Sequence, residues 1–315
     1  MTPALISKRQ NGRYYTEGNP FILKPFCDWA HSINLKDRTI LEPFAGANNI
    51  IKALRASGYA KSFASFDIAP ANSKVKFLDT IKNFPKEFDV CITNPPWLAK
   101  NSAHRRGLDY SSSIYDDLYK HSLDLCLQNC TYVAALIPAT FLQSGLFVDR
   151  LESIVFLHDQ NMFLDTDNPV CLALFKDKSK DVKIFFDSKF VGNLSEFSKL
   201  LPKVKSTKLN LVFNDPNGEL GFIAFDNTHG PSIRFCNGRD LQKYNIGFSS
   251  RMITRIGGDF NHVHKLVNVL NVKLTNFRLA TKDVFLTPFK GLRKDGVYRR
   301  RMDYGLARDF ISFYA

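Results

Sequence analysis

The chain has 315 residues, a hydrophobic fraction of 44% and a formal net charge of +13 at pH 7. A chain of this length can bury a full-sized core and is long for one domain, so we expect a large domain followed by a smaller one. The longest apolar run, residues 133–142, is too short to cross a bilayer, and the N-terminus resembles no secretion signal. We therefore expect a cytoplasmic protein that does not enter the membrane.

The positive charge is concentrated in the C-terminal third. Residues 1–204 hold 25 Lys and Arg against 21 Asp and Glu, whereas residues 205–315 hold 18 against 9. A field of that sign attracts polyanions, nucleic acid above all, although a basic chain can also be merely soluble. The six cysteines show neither a CxxC pair nor the spacing of a zinc site, so we expect reduced thiols and no metal.

Up to about residue 176, apolar runs alternate with helix-like stretches, which is the pattern of a mainly parallel sheet with crossover helices. One helix is predicted over residues 50–56. A second is predicted to begin near Ser113, because Ser113 and Asp116 resemble a capping box and apolar residues follow at helical spacing. The predicted strands are residues 39–41, 62–66, 89–93, 132–137 and 170–175.

The first predicted strand leads directly into a turn of small residues around Gly46 and then into the helix at 50–56. Such a turn brings the backbone close to a nucleotide-like ligand at a helix N-terminus. There is no GxGxxG and no P-loop lysine, so neither a pyrophosphate nor a triphosphate is indicated. Asn48 stands where a second glycine would be expected, and Asn tolerates the left-handed backbone that the turn would need there.

Two acidic residues follow at or near strand ends. Asp67 ends the second predicted strand, 21 positions after Gly46, where a carboxylate can accept both ribose hydroxyls. Asp79 lies just past the next apolar patch, where it could accept from an adenine amino group. Each acid taken alone could instead be a solvated charge at a strand end. Their order after the turn favours a binding site.

The third predicted strand ends in Asn94-Pro95-Pro96-Trp97. The prolines make a rigid turn that offers two acceptors, the Asn94 side-chain oxygen and the Pro95 carbonyl, beside the flat face of Trp97. Such a turn suits a planar amino group on a ring. Holding both of its hydrogens favours a tetrahedral nitrogen whose lone pair can point at a methyl donor. A packing turn with a buried tryptophan is the alternative.

After about residue 190 the sequence becomes turn-rich and β-leaning, and we place the domain boundary between residues 200 and 201. Near the end, residues 289–310 interleave Arg and Lys with Phe and Tyr. A basic loop, residues 100–113, follows the Trp97 turn. Both basic stretches could contact phosphates or simply be solvated.

These motifs carry a resemblance to a known family. Asn94-Pro95-Pro96-Trp97 resembles the catalytic motif of S-adenosylmethionine-dependent amino-methyltransferases, and "LEPFAGANN" resembles their cofactor loop. "LIPATFL" and "GRYYTEGNPF" are similar to segments of the gamma class of DNA adenine-N6 methyltransferases. The resemblance covers roughly residues 12–176. It implies a Rossmann-like methyltransferase domain with a mainly parallel sheet over residues 1–200, and a smaller β-rich DNA target-recognition domain over residues 201–315.

The resemblance also implies S-adenosylmethionine as cofactor and roles for individual residues. Asn94 and Pro95 hold the target amine and Pro96 completes the catalytic turn. Trp97 stacks on the target base, and Phe163 is the candidate for a second aromatic against that base. Cofactor contacts are implied for Tyr15, Thr16, Glu42, Phe44, Ala45, Gly46, Asp67, Ile68, Asp79 and Asn94.

The implied activity is methyl transfer to N6 of adenine in a specific sequence of double-stranded DNA, with the target base flipped out of the stack. Such an enzyme is expected to be the modification partner of a restriction endonuclease, without a stable complex between the two. The residues expected to contact DNA are His104, Arg105, Arg106, Arg293, Lys294, Arg299, Arg300 and Arg301.

Other activities stay open. Trp in the fourth motif position is known among cytosine-N4 enzymes, and related motifs serve RNA bases and protein glutamine. A non-catalytic nucleic-acid-binding module could also retain the fold. The basic C-terminal third counts against glutamine more than against RNA, and the intact motif at Asn94 counts against a non-catalytic module.

Overall fold

A computed structural model of the protein describes residues 16–108, 110, 114–158, 162–163, 168–203, 209–247 and 249–315. The chain divides into two compact units, Met1–Asn193 and Leu194–Ala315. No helix within the described ranges is long and apolar enough to cross a membrane. Two residues singled out in the sequence, Tyr15 and Ser113, lie outside these ranges.

Among the described residues of the N-terminal unit, nine strands form one sheet: β1 Thr39–Glu42, β2 Ser62–Asp67, β3 Lys76–Phe77, β4 Val90–Thr93, β5 Tyr132–Pro138, β6 Leu151–Leu157, β7 Val170–Phe175, β8 Lys183–Phe186 and β9 Lys189–Asn193. Their order is β3-β2-β1-β4-β5-β7-β6-β8-β9. The first five strands in this order run parallel, in the 3-2-1-4-5 arrangement of doubly wound folds. Strand β7 is antiparallel to both neighbours.

The five predicted strands are confirmed, with ends that differ by no more than one residue. The sequence pattern did not predict β3, β6, β8 or β9, or the antiparallel direction of β7. All six residues of β7 are buried, so its pattern is a continuous apolar run. Such a run indicates burial on both faces but carries no information about strand direction.

The described helices of this unit are α1 Lys24–Ser32, α2 Asn49–Ala56, α3 Lys100–Arg105 and α4 Leu118–Asn129. Helix α2 forms as predicted and buries Ile50, Ile51 and Leu54. The predicted start of α4 near Ser113 is wrong. The helix begins at Leu118, because the extended Asp117 is its N-cap and accepts a hydrogen bond from the Tyr119 N–H at 3.3 Å.

The C-terminal unit contains β10 Val212–Phe213, β11 Leu220–Ile223, β12 Arg234–Asn237, β13 Ile253–Gly257, β14 Thr287–Leu292 and β15 Tyr298–Arg301. Strands β10-β13-β11-β12 form an antiparallel sheet, and β14 and β15 form a separate pair. Its described helices are α5 Leu194–Ser198, α6 Val263–Thr281 and α7 Tyr304–Tyr314. The predicted class, mixed α/β with a mainly parallel sheet and a smaller β region, is confirmed.

The long helix α6 was not predicted, although its signal is present in the sequence. Leu266, Val267, Leu270, Leu274 and Phe277 recur at helical spacing and are buried in the core of the C-terminal unit. The turn-rich sequence before them obscured this pattern.

Candidate active site

The candidate site lies at the carboxyl ends of β1, β2 and β4. The chain passes from β1 to β2 on one side and returns with β4 on the other, so the strand order reverses between β1 and β4. In doubly wound sheets such a switch point opens a crevice that binds ligands. Glu42, Asp67 and Asn94 stand at or directly after these strand ends.

The turn after β1 is held against β2 by hydrogen bonds. Gly46 has φ +49 and its N–H donates to Asp67 Oδ2 at 2.8 Å. The buried Ala45 donates from its N–H to the Phe66 carbonyl at 2.9 Å. Asn48 takes the left-handed conformation expected of it, with φ 64, and its side-chain oxygen accepts from Ser65 Oγ at 2.8 Å. The turn is therefore rigid even though a second glycine is missing.

Asp67 stands at the carboxyl end of β2 and binds this turn. Its second oxygen accepts from the Ala69 N–H at 2.7 Å. Each oxygen therefore already accepts one backbone N–H, and each retains a further lone pair for a ligand hydroxyl. Phe44, at the start of the turn, is half-buried.

Glu42 is the unusual group of the site. It is 2% exposed, and its Oε2 atom has no hydrogen-bond partner among the described residues. Burial, reinforced by the charge of Asp67, raises its pKa well above the ordinary value, and a backbone hydrogen bond from Ile51 only partly opposes this. An unpartnered buried carboxyl oxygen costs folding free energy, so the position of Glu42 Oε2 suits a hydrogen-bond donor supplied by a ligand.

Two apolar side chains stand exposed beside these polar groups. Ile68, directly after β2, is 51% exposed, and Phe77, at the end of β3, is 74% exposed. The pairing of β2 with β3 places Asp67 opposite Phe77. Asp79 follows within the same rim, but its carboxylate already contacts Lys82, at 3.5 Å from the ammonium and 3.3 Å from the backbone N–H. Ile68 and Phe77 are therefore exposed to a ligand at this rim of the site, whereas the Asp79 oxygens already contact Lys82.

The predicted N-terminal contact and the predicted catalytic turn meet directly. Asn94 Nδ2 donates to Thr16 Oγ1 at 3.3 Å, and Asn49 Nδ2 donates to the Thr16 carbonyl at 2.9 Å. Thr16 is buried by these contacts. Asn49 was not singled out in the sequence, and nothing in its local pattern marks it, because its partner lies 33 positions away.

Trp97 and Phe163, the two predicted base-stacking residues, are both buried and lie in contact. Their ring centroids are 5.2 Å apart and their planes meet at 89°. A planar base cannot stack face to face on both rings while they stand nearly perpendicular. Binding of a base between them therefore requires one ring to turn. Pro95 is buried and Pro96 half-buried, so the turn that carries Trp97 is firmly packed.

The two groups of predicted DNA contacts differ in exposure. His104, Arg105 and Arg106 are exposed at the end of α3. Arg293 instead pairs with Asp226 and Asp295, at 3.2 and 2.7 Å.

Arg300, also predicted to contact DNA, is 2% exposed, and burial lowers its pKa to about 10. Arg299 packs over Phe289, 4.7 Å from the ring centre, and donates to the Asp226 carbonyl. Lys294 is exposed and Arg301 half-buried, so these two, with part of Arg299, are the members of the C-terminal group that can reach a phosphate.

The sequence pattern did not reveal Asp226, the buried acid that these arginines surround. Its carboxylate accepts two hydrogen bonds from Arg278, at 2.9 and 2.8 Å, and others from the Ser232 and Ile233 N–H groups. Burial alone would raise the pKa of Asp226, but Arg278 and the backbone donors hold it below the ordinary value. Within the described part of the chain, no cluster of His, Cys, Asp and Glu is arranged to hold a metal ion.

No protein-family model matches the chain, and no curated protein matches it in sequence. The methyltransferase subunit of a type I restriction-modification system from Streptococcus thermophilus is 13% identical with a TM-score of 0.37, over 58% of this chain and 52% of that one. The type IIG restriction endonuclease BpuSI is 14% identical with a TM-score of 0.40, over 57% of this chain and 28% of that one. The M protein of the type I restriction enzyme EcoKI is 11% identical with a TM-score of 0.35, over 79% and 68%. At these identities and TM-scores the similarities establish neither the family nor the activity of this chain.

Proposed function

We propose that the chain is an S-adenosylmethionine-dependent methyltransferase of the gamma type, acting on the N6 amine of adenine in a specific duplex DNA sequence. The observation that carries the proposal is the meeting of two motifs at one sheet edge. Asn94 bonds to Thr16, and Thr16 bonds to Asn49 at the end of the Gly46 turn. A turn suited to an amino group thus adjoins a turn suited to a nucleoside-like cofactor.

The residues around Glu42 fit this cofactor. Glu42 Oε2 is a buried acceptor without a partner among the described residues, Asp67 retains acceptor capacity for hydroxyls, and Ile68 and Phe77 offer exposed apolar faces for an adenine ring. Thr16, Glu42, Gly46, Asp67 and the rim residues would hold S-adenosylmethionine. The bound cofactor would supply an electrophilic methyl group.

The catalytic turn prepares the amine for attack. The Asn94 side-chain oxygen and the Pro95 carbonyl accept the two amine hydrogens, which favours a tetrahedral nitrogen with its lone pair directed at the methyl group. They also stabilise the positive charge that develops on nitrogen. Because Pro95 and Trp97 are buried, the acceptors are already in place and need little reorganisation.

The duplex has to deliver the target base into this turn. Flipping the base costs a few kcal/mol, which stacking on Trp97 or Phe163 and phosphate contacts would offset. We propose His104, Arg105 and Arg106 as phosphate contacts near the turn, and Lys294, Arg299 and Arg301 in a target-recognition unit over residues 194–315. A restriction endonuclease is the proposed partner in the cell, without a stable complex.

The test is methyl transfer from labelled S-adenosylmethionine into unmethylated duplex DNA, followed by digestion to nucleosides and mass spectrometry. We expect N6-methyladenine from the wild type. Asn94→Ala is expected to bind cofactor and DNA but to lose nearly all transfer. N4-methylcytosine would mean that Trp97 is the better guide to the base than Asn94. Label in RNA or protein, with none in DNA, would overturn the assignment of the C-terminal unit.

A further inference from the structure

The catalytic turn is followed at once by a short clasp, which we define as residues 98–100 together with residues 116–118. The two segments meet as an isolated antiparallel bridge, formed by Ala99 and Asp117. The Leu118 N–H donates to the Leu98 carbonyl at 3.0 Å, and the Lys100 N–H donates to the Asp116 carbonyl at 2.8 Å. The clasp therefore joins the chain just after Trp97 to the start of α4.

The Asp117 side chain adds a bond that the backbone alone cannot make. Its Oδ1 atom accepts from the Leu98 N–H at 3.1 Å and from the Tyr119 N–H at 3.3 Å. One carboxylate thus caps α4 and at the same time binds the N–H that follows Trp97. Leu98 is itself buried, so this bond is shielded from water.

No salt bridge within the described residues draws the Asp117 carboxylate away from these donors. The nearest cation along the helix, Lys120, binds the neighbouring Asp116 at 2.6 Å. Hydrogen bonds to a charged acceptor are about twice as strong as neutral ones. The clasp therefore has a stronger attachment at Asp117 than its backbone bonds alone would provide.

The reason for such an attachment lies in the turn itself. Pro95 and Pro96 fix the internal backbone angles of the turn, but a rigid turn can still rotate as a unit about its ends. The end at Thr93 is held in the sheet by β4. The other end, after Trp97, is held by the clasp.

We propose that Asp117 is a positioning residue for methyl transfer, because it fixes the far end of the catalytic turn to the first turn of α4. The inference rests on the proposed function. In this proposal Asp117, 23 positions after Asn94 in the chain, helps to hold the amine acceptors and the Trp97 ring in position.

Four variants test the role of the carboxylate. Asp117→Ala removes both bonds and is expected to lower kcat about tenfold to a hundredfold, since a displacement of about 1 Å can have that effect. The KM for S-adenosylmethionine should change much less than kcat, because Glu42, Gly46 and Asp67 lie on or directly after β1 and β2, outside the turn that Asp117 holds. Asp117→Asn keeps an acceptor oxygen and should restore most of the rate. Asp117→Ser can still cap the helix but is too short to hold Leu98 as well, so it should behave like Asp117→Ala. Asp116→Ala removes the adjacent carboxylate without touching Leu98 and serves as the matched control.

A second readout needs no substrate. Amide hydrogen exchange at residues 97–99 should be much faster in Asp117→Ala and Asp117→Ser, only slightly faster in Asp117→Asn, whose neutral oxygen accepts a weaker bond, and unchanged in Asp116→Ala. Unchanged exchange in both Asp117→Ala and Asp117→Ser would overturn the proposal. A wild-type kcat in Asp117→Ser would also overturn it, because Asp117 would then act only as a helix cap. A wild type that transfers no methyl group to DNA would overturn the proposed function instead, and the exchange data would still decide whether Asp117 fixes the turn.

Discussion

Two buried carboxylates, one in each unit, lie in opposite electrostatic environments. Glu42 lies beside Asp67 with an oxygen that has no partner among the described residues, and its pKa is raised. Asp226 is 0% exposed but is surrounded by Arg278, Arg293 and backbone donors, and its pKa is lowered. A buried charge that is fully paired holds structure together, whereas one left unpaired costs stability. The second kind is retained where a ligand can provide the missing donor.

The largest expected effect is on the paired side of this comparison. Asp226→Asn leaves Arg278 and Arg293 without their shared counter-charge and should lower the free energy of unfolding by about 3–5 kcal/mol. Urea unfolding of the full chain measures this loss. Asp295→Asn, which removes a half-exposed partner of Arg293, should cost less than about 1 kcal/mol. Equal losses in the two variants would show that Asp226 is not the centre of the cluster.

The pH dependence of Asp226 has a definite sign. Its folded pKa lies below the ordinary value of 3.8, so the stability that it contributes is present at neutral pH. That contribution is lost as pH falls through the folded pKa.

An intermediate case is Asp117, which is bound by backbone N–H groups and, in the part of the chain that the structure describes, by no arginine. Burial, with a smaller contribution from Asp116, raises its pKa to about 6, although the Tyr119 and Leu98 bonds and Lys120 oppose this. The folded state therefore binds a proton that the unfolded state has already released, and stability falls as pH rises from about 4 to 6. Asp117→Asn should flatten that fall, by up to about 3 kcal/mol. Unfolding of both proteins at pH 4 and pH 7 measures the difference, and parallel pH curves would contradict it.

On the unpaired side, Glu42→Gln removes the charge that burial disfavours. Because the folded pKa of Glu42 is raised, its unfavourable contribution grows with pH, so the variant should gain stability over the wild type between pH 5 and pH 8. Cofactor affinity should fall about tenfold to a hundredfold, the equivalent of one hydrogen bond to a charged group. Calorimetric titration with S-adenosylhomocysteine tests the affinity. If the variant is less stable than the wild type and binds S-adenosylhomocysteine equally well, Glu42 has a structural role like that of Asp226.

The smallest expected effect is on the salt dependence of DNA binding, and it distinguishes the exposed Lys294 from the paired Arg293 in the C-terminal unit. Lys294→Ala should leave unfolding unchanged but weaken DNA binding and reduce the salt slope of the binding constant by about one. Arg293→Ala should lower stability through its pair with Asp226. Fluorescence anisotropy with duplex DNA at several salt concentrations measures the slope. A larger slope change for Arg293→Ala than for Lys294→Ala would restore the DNA role predicted for Arg293 from the sequence.

Much of the N-terminal unit could be predicted from the sequence because its determinants are local. Apolar runs locate β1, β2, β4, β5 and β7, and the residues that follow them necessarily stand at strand ends. The left-handed turn at Asn48 was predictable for the same reason, since it depends on the conformational tolerance of one residue. The sequence alone therefore predicts which residues stand at the strand ends of the site, namely Glu42, Gly46, Asp67 and Asn94.

Only the tertiary structure decided which charges are paired and which are free. Arg293 and Arg300 look like exposed cations in the sequence. In the structure Arg293 pairs with Asp226, 67 positions earlier, and Arg300 is buried with its backbone N–H bonded to the same carboxylate, 74 positions earlier. The bonds from Asn49 to Thr16 and from Leu98 to Asp117 likewise join residues that no local pattern connects. Pairing of buried charges depends on distances in space between distant residues, and a charge count along the chain contains no such distances. For that reason the sequence determined the order of the site residues, and the fold determined which of them are available to a ligand.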